Sequence, residues 1–135
     1  MASEVCEEYR SSEVVRNEDV PSCPVATCVA LIGNKWRPLI LRDLLPGKPL
    51  RFKELQRSVG GVSQKVLTSN LRELEDAGLL IRRVYPEVPP RVEYSLTDEG
   101  MSLAPVIDAM KTWGEQYQGL VKQCKAHGSF KVPAR

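Results

Sequence analysis

Between residues 50 and 96, the spacing of apolar and polar positions predicts a helix, a turn, a second helix and two strands, in that order. Apolar residues at helical spacing indicate a short helix over residues 52–59, and Gly60 and Gly61 mark a turn. A second helix follows over residues 63–76, with a serine as its N-cap. This order is typical of a winged helix-turn-helix, a module that places one helix in a groove of DNA.

The second helix of this plan has two chemically different sides. Its inward stripe is predicted to comprise residues at three- and four-residue spacing, namely Val66, Leu67, Asn70, Leu71 and Leu74. The opposite side, here called the recognition face, comprises Gln64, Lys65, Thr68, Ser69 and Arg72. Such amide, ammonium, hydroxyl and guanidinium groups bond base edges and phosphates, so we predict that this face and the N-cap Ser63 contact DNA. A plain solvated surface is the alternative, although a surface helix ordinarily mixes both charges along its length.

The two predicted strands, residues 79–85 and 91–96, form a hairpin with a proline-rich tip. Arg91, just past the tip, is the favoured wing contact to DNA phosphates or to a narrow minor groove. Arg82 and Arg83 precede the tip, and strand alternation allows only one of them to share a given sheet face. We therefore expect these two arginines to have different roles.

Two further helices are predicted before the helix-turn-helix. Pro24 opens the first of them, and Gly33 is expected to end it in the left-handed conformation. Asn34 is expected to cap the second helix, which covers residues 35–45. Both helices are expected to support the DNA-contacting module.

A long terminal helix is expected after Thr97, its N-cap, with a kink near Pro105. Its apolar stripe is longer than the core of so small a domain needs, which suggests a subunit interface. The residues assigned to this dimer interface are Val106, Ile107, Met110, Trp113 and Tyr117. Packing against the N-terminal helices of the same chain is the alternative use of the stripe, and we expect both.

A chain of 135 residues has the length of one domain with a modest core. The predicted elements give a mainly α fold with a small β-hairpin wing, in the α+β class, over residues 23–126. Residues 1–22 are assigned to an acidic N-terminal arm and residues 127–135 to a flexible tail. No apolar run reaches the roughly 18 residues of a membrane span, and the acidic N-terminus is unlike a secretory signal. A cytoplasmic location without membrane contact is therefore expected.

Charge is unevenly distributed along the chain, although the net charge is only +2. Residues 1–23 carry a net charge of −4, whereas residues 46–72 carry six basic residues against Glu54 alone, a net of +5. Residues 79–92 add a further +2. The positive charge is thus concentrated in the elements predicted to contact DNA, as a nucleic-acid footprint requires.

Cysteine placement favours neither a metal site nor a structural disulfide. Cys6, Cys23, Cys28 and Cys124 show no CxxC spacing, and the single histidine lies in the tail. Cys23, directly before Pro24, is predicted at the positive end of a helix dipole, which favours the reactive thiolate. We therefore consider it a candidate redox sensor, with a packed inert thiol as the alternative. No residue set for catalysis, a phosphate loop or a cofactor is present, so neither an enzyme nor a cofactor is expected.

Six segments of the chain form a recognisable series. They are CPV at 23–25, LIGNKWRPLIL at 31–41, RFKEL at 51–55, GVSQKVLTSNLRELEDAGLL at 61–80, YPEVPPRVEYSLTDEG at 85–100 and DAMKTWG at 108–114. This series resembles the HxlR-type transcriptional regulators of the MarR-like winged-helix group. The resemblance implies a homodimer built from the first and last helices that binds paired operator half-sites. It also implies, as in some members, sensing of oxidants or electrophiles by the cysteine that matches Cys23. The tail after Gly114 lies outside the pattern, as does the arm with Cys6.

The predicted function is sequence-specific binding of a palindromic operator in double-stranded DNA by a cytoplasmic, homodimeric transcription regulator. We predict a repressor that responds to an oxidant or electrophile through Cys23. The alternative within this class is a regulator that binds a small-molecule effector in the dimer cleft, between the helix-turn-helix and wing of residues 50–96 and the dimerisation helices. The alternative outside it is a winged helix that binds another protein, against which the lack of acids on the recognition face argues.

Overall fold

The computed structural model of the protein describes residues 20–125. Its elements are α1 (Pro24–Ile32), α2 (Arg37–Leu44), β1 (Leu50–Arg51), α3 (Phe52–Val59), α4 (Gln64–Asp76), β2 (Leu80–Tyr85), β3 (Arg91–Leu96), α5 (Asp98–Met101) and α6 (Ala104–Lys125). They form two compact units that divide between Leu103 and Ala104. The predicted tail, and the predicted arm except for residues 20–22, lie outside the described residues, as does Cys6. Within residues 20–125, every helix is too short or too polar to span a bilayer.

The sheet is a small antiparallel wing to which a third strand is added. The strand order is β1-β3-β2, with Leu50 opposite Tyr94 and Leu80 opposite Leu96. The predicted hairpin is therefore confirmed, and the short strand before α3 completes the sheet. A mostly helical fold with a three-stranded wing confirms the predicted winged helix-turn-helix class.

The core of the first unit lies between α2, α3 and α4. The large side chains that are fully buried are Ile40, Leu41, Leu44, Leu55, Leu67, Leu71 and Leu74. The predicted inward stripe of α4 is confirmed at Leu67, Asn70, Leu71 and Leu74, but it is wrong at Val66, which is 37% exposed. Val66 stands at the edge of the stripe, where the helix already turns toward solvent. The three leucines of this stripe fix the opposite side of α4 to the outside.

Two predictions about the end of α1 require correction. Gly33 has φ −83° and ψ 26°, so the predicted left-handed conformation is wrong. The glycine is needed there for space, because a Cβ would lie 2.3 Å from the carbonyl oxygen of Val29. The N-cap of the next helix is Trp36 and not the predicted Asn34, although Asn34 Oδ1 accepts from the N–H groups of Trp36 at 3.0 Å and Arg37 at 2.8 Å just before that helix. That helix begins at Arg37, however, and not at residue 35.

The prediction of one kinked terminal helix is also wrong. The chain forms α5 and α6 as separate helices, with an interruption at residues 102–103. Thr97 Oγ1 accepts from the N–H of Gly100 at 3.0 Å, so the predicted cap is confirmed for α5. Pro105 lies in the first turn of α6, where a missing N–H has no helical partner to lose. The proline therefore starts a new helix instead of kinking an existing one.

Gly100 provides a test of this fold, because it is buried and a Cβ there would lie 2.1 Å from the carbonyl oxygen of Leu79. We expect Gly100→Ala to lower the free energy of unfolding by about 1–3 kcal/mol, since the backbone must shift. Gly119→Ala is the matched control, because nothing lies within 4 Å of the added methyl group. It should be neutral or stabilise the helix by up to about 1 kcal/mol. Equal stabilities of the two variants in urea denaturation would contradict the close approach.

Candidate nucleic-acid interface

The start of α4 is held in a defined geometry. Ser63 Oγ accepts a hydrogen bond from the N–H of Val66 at 3.2 Å, as expected of an N-cap. Before it, Gly60 and Gly61 adopt φ angles of 77° and 76°, which glycine tolerates without steric cost. Gln56 Nε2 donates a hydrogen bond to the carbonyl oxygen of Val62, which follows the two glycines, at 3.2 Å. The turn and the cap together fix where α4 begins relative to α3.

The structure brings the recognition face together on one exposed side of α4. Its five members are exposed: Gln64, Lys65, Thr68, Ser69 and Arg72. Among the described residues, Lys65 and Arg72 form no ion pair. Thr68 Oγ1 donates to the carbonyl of Gln64 at 2.7 Å, so its hydroxyl offers DNA an acceptor rather than its proton. The face thus presents two cations that form no ion pair among the described residues, flanked by neutral polar groups.

Acidic side chains at the far end of α4 are paired with arginines of other elements. Glu73 pairs with Arg37 of α2, and the Oε2 atom of Glu75 lies 3.5 Å from Nε of Arg82 on β2. Both carboxylates therefore have cationic partners, which reduces the repulsion they would exert on a DNA backbone. This pairing crosses elements and could not be predicted from the spacing within α4.

Arg91, the predicted wing contact, is held by neighbouring side chains. Its Nη2 lies 3.3 Å from Oε1 of Glu87, and its Nε lies 3.6 Å from Oε1 of Glu93. The guanidinium also stacks 4.0 Å from the ring centroid of Tyr85, and the side chain is 29% exposed. A DNA phosphate would have to replace these carboxylates. Arg83, by contrast, is exposed and forms no ion pair within the described part of the chain.

A small cleft of about 160 Å³ lies between the recognition helix and the wing. Thr68 and Arg72 line it from α4, and Arg82 and Tyr94 line it from the two strands. Burial raises the pKa of Tyr94, while the charge of Arg82 acts in the opposite direction, so the phenol is neutral at physiological pH. Strand alternation in the sequence did not single out Tyr94 as a site residue, because only the packing of the wing against α4 places it there.

A larger groove, of about 1070 Å³, separates α4 from α1. The five residues of the recognition face line one wall. Apolar residues contribute to the remainder, namely Val20, Pro21, Ala30, Leu31 and Ala77. The surface predicted to contact DNA is therefore continuous with a partly apolar groove beside α1.

Cys23 is the exposed N-cap of α1. Its carbonyl oxygen accepts from the N–H of Thr27 at 3.0 Å and from Thr27 Oγ1 at 3.2 Å, while the thiol faces solvent. Cys28 and Cys124 are partly buried, and all three described cysteines are free. This exposure disfavours the packed, inert interpretation of Cys23. Among residues 20–125, no cluster of three or more metal-ligating side chains occurs.

The helix α6 presents apolar side chains along much of its length. Met110, Trp113 and Leu120 are 49%, 64% and 47% exposed. The rings of Trp113 and Tyr117 are stacked, with centroids 5.1 Å apart. Of the residues assigned to a dimer interface, Ile107 differs, because it is only 8% exposed. Of the remaining assigned residues, Met110 and Trp113 are exposed and Val106 and Tyr117 are partly exposed, so α6 carries an apolar surface in the described part of the chain.

Residues 31–122 match the family model of the HxlR-like helix-turn-helix. The chain belongs to the HxlR-like helix-turn-helix family. The resemblance predicted from the sequence motifs is thereby confirmed. The matched segment extends past Gly114, where the pattern was predicted to end, so that boundary is wrong. It begins after Cys23, so the family match gives no support to a role for this cysteine.

Relatives of this HxlR-like protein include other transcription regulators. An uncharacterized HTH-type transcriptional regulator of Methanothermobacter thermautotrophicus is 50% identical over 100 residues, covering 74% of this chain and 76% of the relative. The uncharacterized HTH-type regulator YdeP of Bacillus subtilis is 44% identical over 110 residues, covering 82% and 85%. The solved structure of the redox regulator HypR in its reduced form is 40% identical, with a TM-score of 0.70 over 75% of this chain and 99% of that chain. The HxlR-like protein is a transcription regulator with a DNA-binding helix-turn-helix.

Proposed function

We propose that this HxlR-like protein is a repressor that binds a palindromic operator as a homodimer in the cytoplasm and has no enzymatic activity. The observation that carries the proposal is the recognition face, which is exposed, free of acids and carries two cations that form no ion pair with any described residue. A helix of this composition fits the major groove, where amides and cations bond base edges and phosphates. In a two-fold dimer, two such helices contact half-sites roughly 34–36 Å apart.

The wing adds contacts beside the recognition helix. A phosphate replaces Glu87 and Glu93 as the partner of Arg91, exchanging two partly exposed ion pairs for a contact with the DNA backbone. Arg83 is exposed on the same hairpin and increases the positive potential there. The stacking of Arg91 on Tyr85 keeps the guanidinium oriented during this exchange.

The homodimer is formed by the first and last helices. Val25 and Val29 of α1 are 71% and 58% exposed, and Trp113 of α6 is 64% exposed. Exposed apolar side chains of this size are typical of a surface that a partner covers. The interface comprises mainly Val106, Met110, Trp113 and Tyr117, with Ile107 contributing less because it is already buried.

Cys23 makes the regulator responsive to oxidants or electrophiles. Cys23 is exposed at the N-terminus of α1, where an oxidant or electrophile can reach its thiol. A peroxide accepts two electrons from this sulfur, which becomes a sulfenic acid while the peroxide is reduced to water. The likeness to HypR, a redox regulator solved in reduced and oxidized forms, supports this proposal.

The groove between α1 and α4 favours a second candidate, a small-molecule effector. Its volume of about 1070 Å³ and its apolar wall suit a compact, partly apolar ligand. A ligand there would occupy the recognition face itself and would exclude DNA by direct competition.

DNA contact by the recognition face is tested at its two cations. Lys65→Ala and Arg72→Ala should each weaken operator binding without unfolding the protein. The slope of log affinity against log salt should fall by about one in each variant, because one phosphate contact is lost. The operator is first selected from genomic fragments, and affinity is measured by gel-shift titration. Lys122→Ala, on exposed α6, is the control and should bind as the wild type does. Unchanged affinity in both face variants would refute the assignment.

Dimerisation is tested by placing a charge on the apolar surface of α6. Trp113→Glu should shift the protein from dimer to monomer in sedimentation equilibrium, because a carboxylate would be buried without a partner. Gln118→Glu adds the same charge at another exposed position of the same helix and should leave the dimer intact. A dimer of unchanged affinity in Trp113→Glu would exclude this surface from the interface.

Redox control is tested at Cys23. Cys23→Ser should retain DNA binding but lose the response to peroxide, diamide or quinones, whereas Cys28→Ser, on the same helix, should respond as the wild type does. A normal response of Cys23→Ser would show that this thiol is not the sensor.

Thermal-shift screening of thiol-blocked protein separates redox control at Cys23 from binding of a small-molecule effector. A ligand of the groove raises the melting temperature even when no thiol is free.

A further inference from the structure

The recognition helix is attached to the preceding elements through one buried amide. Asn70 is 7% exposed, and it is the one buried polar residue in the described part of the chain. Its Oδ1 accepts from Asn34 Nδ2 at 2.7 Å and from Arg37 Nε at 3.1 Å, while its Nδ2 donates to the Val66 carbonyl at 2.9 Å. Both lone pairs of the Asn70 amide oxygen are used. Only one rotation of α4 about its own axis therefore allows Asn70 to form all of its hydrogen bonds. Helical periodicity places Asn70 on the side of α4 opposite the recognition face.

Arg37 joins three elements through one planar group. Its Nη1 donates at 2.8 Å to the carbonyl oxygen of Leu31, in the last turn of α1. Its Nε bonds Asn70, and its Nη2 pairs with the carboxylate of Glu73, one turn further along α4. Burial lowers the pKa of Arg37, but a guanidinium remains charged in proteins. Lysine could not make the same contacts, because an ammonium lacks the rigid fork of donors.

We propose that Arg37 is a positioning residue for DNA binding, which sets the orientation of the recognition face and transmits the position of α1 to α4. The inference rests on the proposed function, since it assumes that α4 contacts DNA. A single rigid group bonded to Leu31, Asn70 and Glu73 restricts independent movement of the two helices. Loss of this group leaves the leucine stripe of α4 in the core but removes the contacts that select one orientation.

Transmission through Arg37 gives Cys23 a physical path to the recognition face. The helix α1 has nine residues and follows directly on its N-cap Cys23, so Cys23 and Leu31 lie at opposite ends of one short helix. A chemical change at its first turn displaces the carbonyl of Leu31 at its last turn. Arg37 follows that carbonyl, and α4 then changes its angle to DNA through Asn70 and Glu73. Cys23 thereby controls DNA affinity without touching DNA.

The variant Arg37→Met removes the guanidinium and keeps the length of the side chain. We expect its affinity for the operator to fall about tenfold at fixed salt, in the range of changes along coupled networks. The slope of log affinity against log salt should be unchanged, because no phosphate contact is lost. Arg42→Met is the matched control, since it is the same substitution in the same helix, at a guanidinium that bonds the adjacent Asp43. It should bind DNA as the wild type does.

Arg37→Lys keeps the positive charge and carries the test if the methionine variant does not fold. Its affinity should also fall, because the planar fork and not the charge holds α4. Wild-type affinity of Arg37→Lys would overturn the proposal. A salt slope reduced by about one in Arg37→Met would also overturn it, since that result marks a direct phosphate contact.

A measurement without DNA separates failure of this inference from failure of the proposed function. In urea denaturation, Arg37→Met combined with Asn70→Leu should destabilise less than the sum of the single variants, because both remove the same contacts. Additive effects would show that Arg37 and Asn70 do not act together and would overturn the proposal, whether or not the protein binds DNA. Coupled effects in a protein that selects no DNA sequence would overturn the proposed function, and the positioning role with it.

Discussion

The hydrogen-bonding requirement of the buried Asn70 amide governs how the recognition face of α4 is presented. An unpaired amide in the core would cost about 1–3 kcal/mol, so α4 settles where Asn34 and Arg37 meet its oxygen. Apolar contacts such as those of Leu67 and Leu71 drive the burial of the helix, but they tolerate small rotations about its axis. The hydrogen bonds that join Asn70 to Asn34 and Arg37 do not tolerate such rotations, because hydrogen bonds depend on direction. Hydrophobic burial therefore holds the helix, and the amide orients it.

The contacts of Arg37 also contribute to the electrostatics of the recognition face. Arg37 pairs with Glu73 and Arg82 pairs with Glu75, so the carboxylates at the end of α4 have partners in other elements. Lys65 and Arg72 have no such partners among the described residues and remain available to an external anion. A chain with a net charge of only +2 thus presents a locally positive surface. The placement of pairs, and not the total charge, produces the DNA-binding character of this family member.

The proposed control site and the recognition face lie on different helices of the protein. Cys23 is exposed at the start of α1, and the groove of about 1070 Å³ runs between this helix and the recognition face. A covalent change at the thiol and a ligand in the groove would act on the same two helices by different means. The first would move α1, whereas the second would occupy the space beside α4. The apolar surface of α6, centred on Trp113, belongs to neither site and is suited to a second copy of the chain.

Local sequence determined the elements of this protein, and tertiary packing determined the site. Spacing and capping chemistry alone located α3, α4 and the hairpin strands, because these elements depend on neighbours in the chain. They also grouped the recognition face, since helical periodicity decides which residues share a side. The same local rules failed at Gly33, where a close approach to Val29 replaces the left-handed turn. They placed Asn70 correctly on the inward stripe, but gave neither it nor Arg37 a hydrogen-bonding role. Asn70 lies more than thirty positions from Asn34 and from Arg37 along the chain, so only the folded structure brings these residues together.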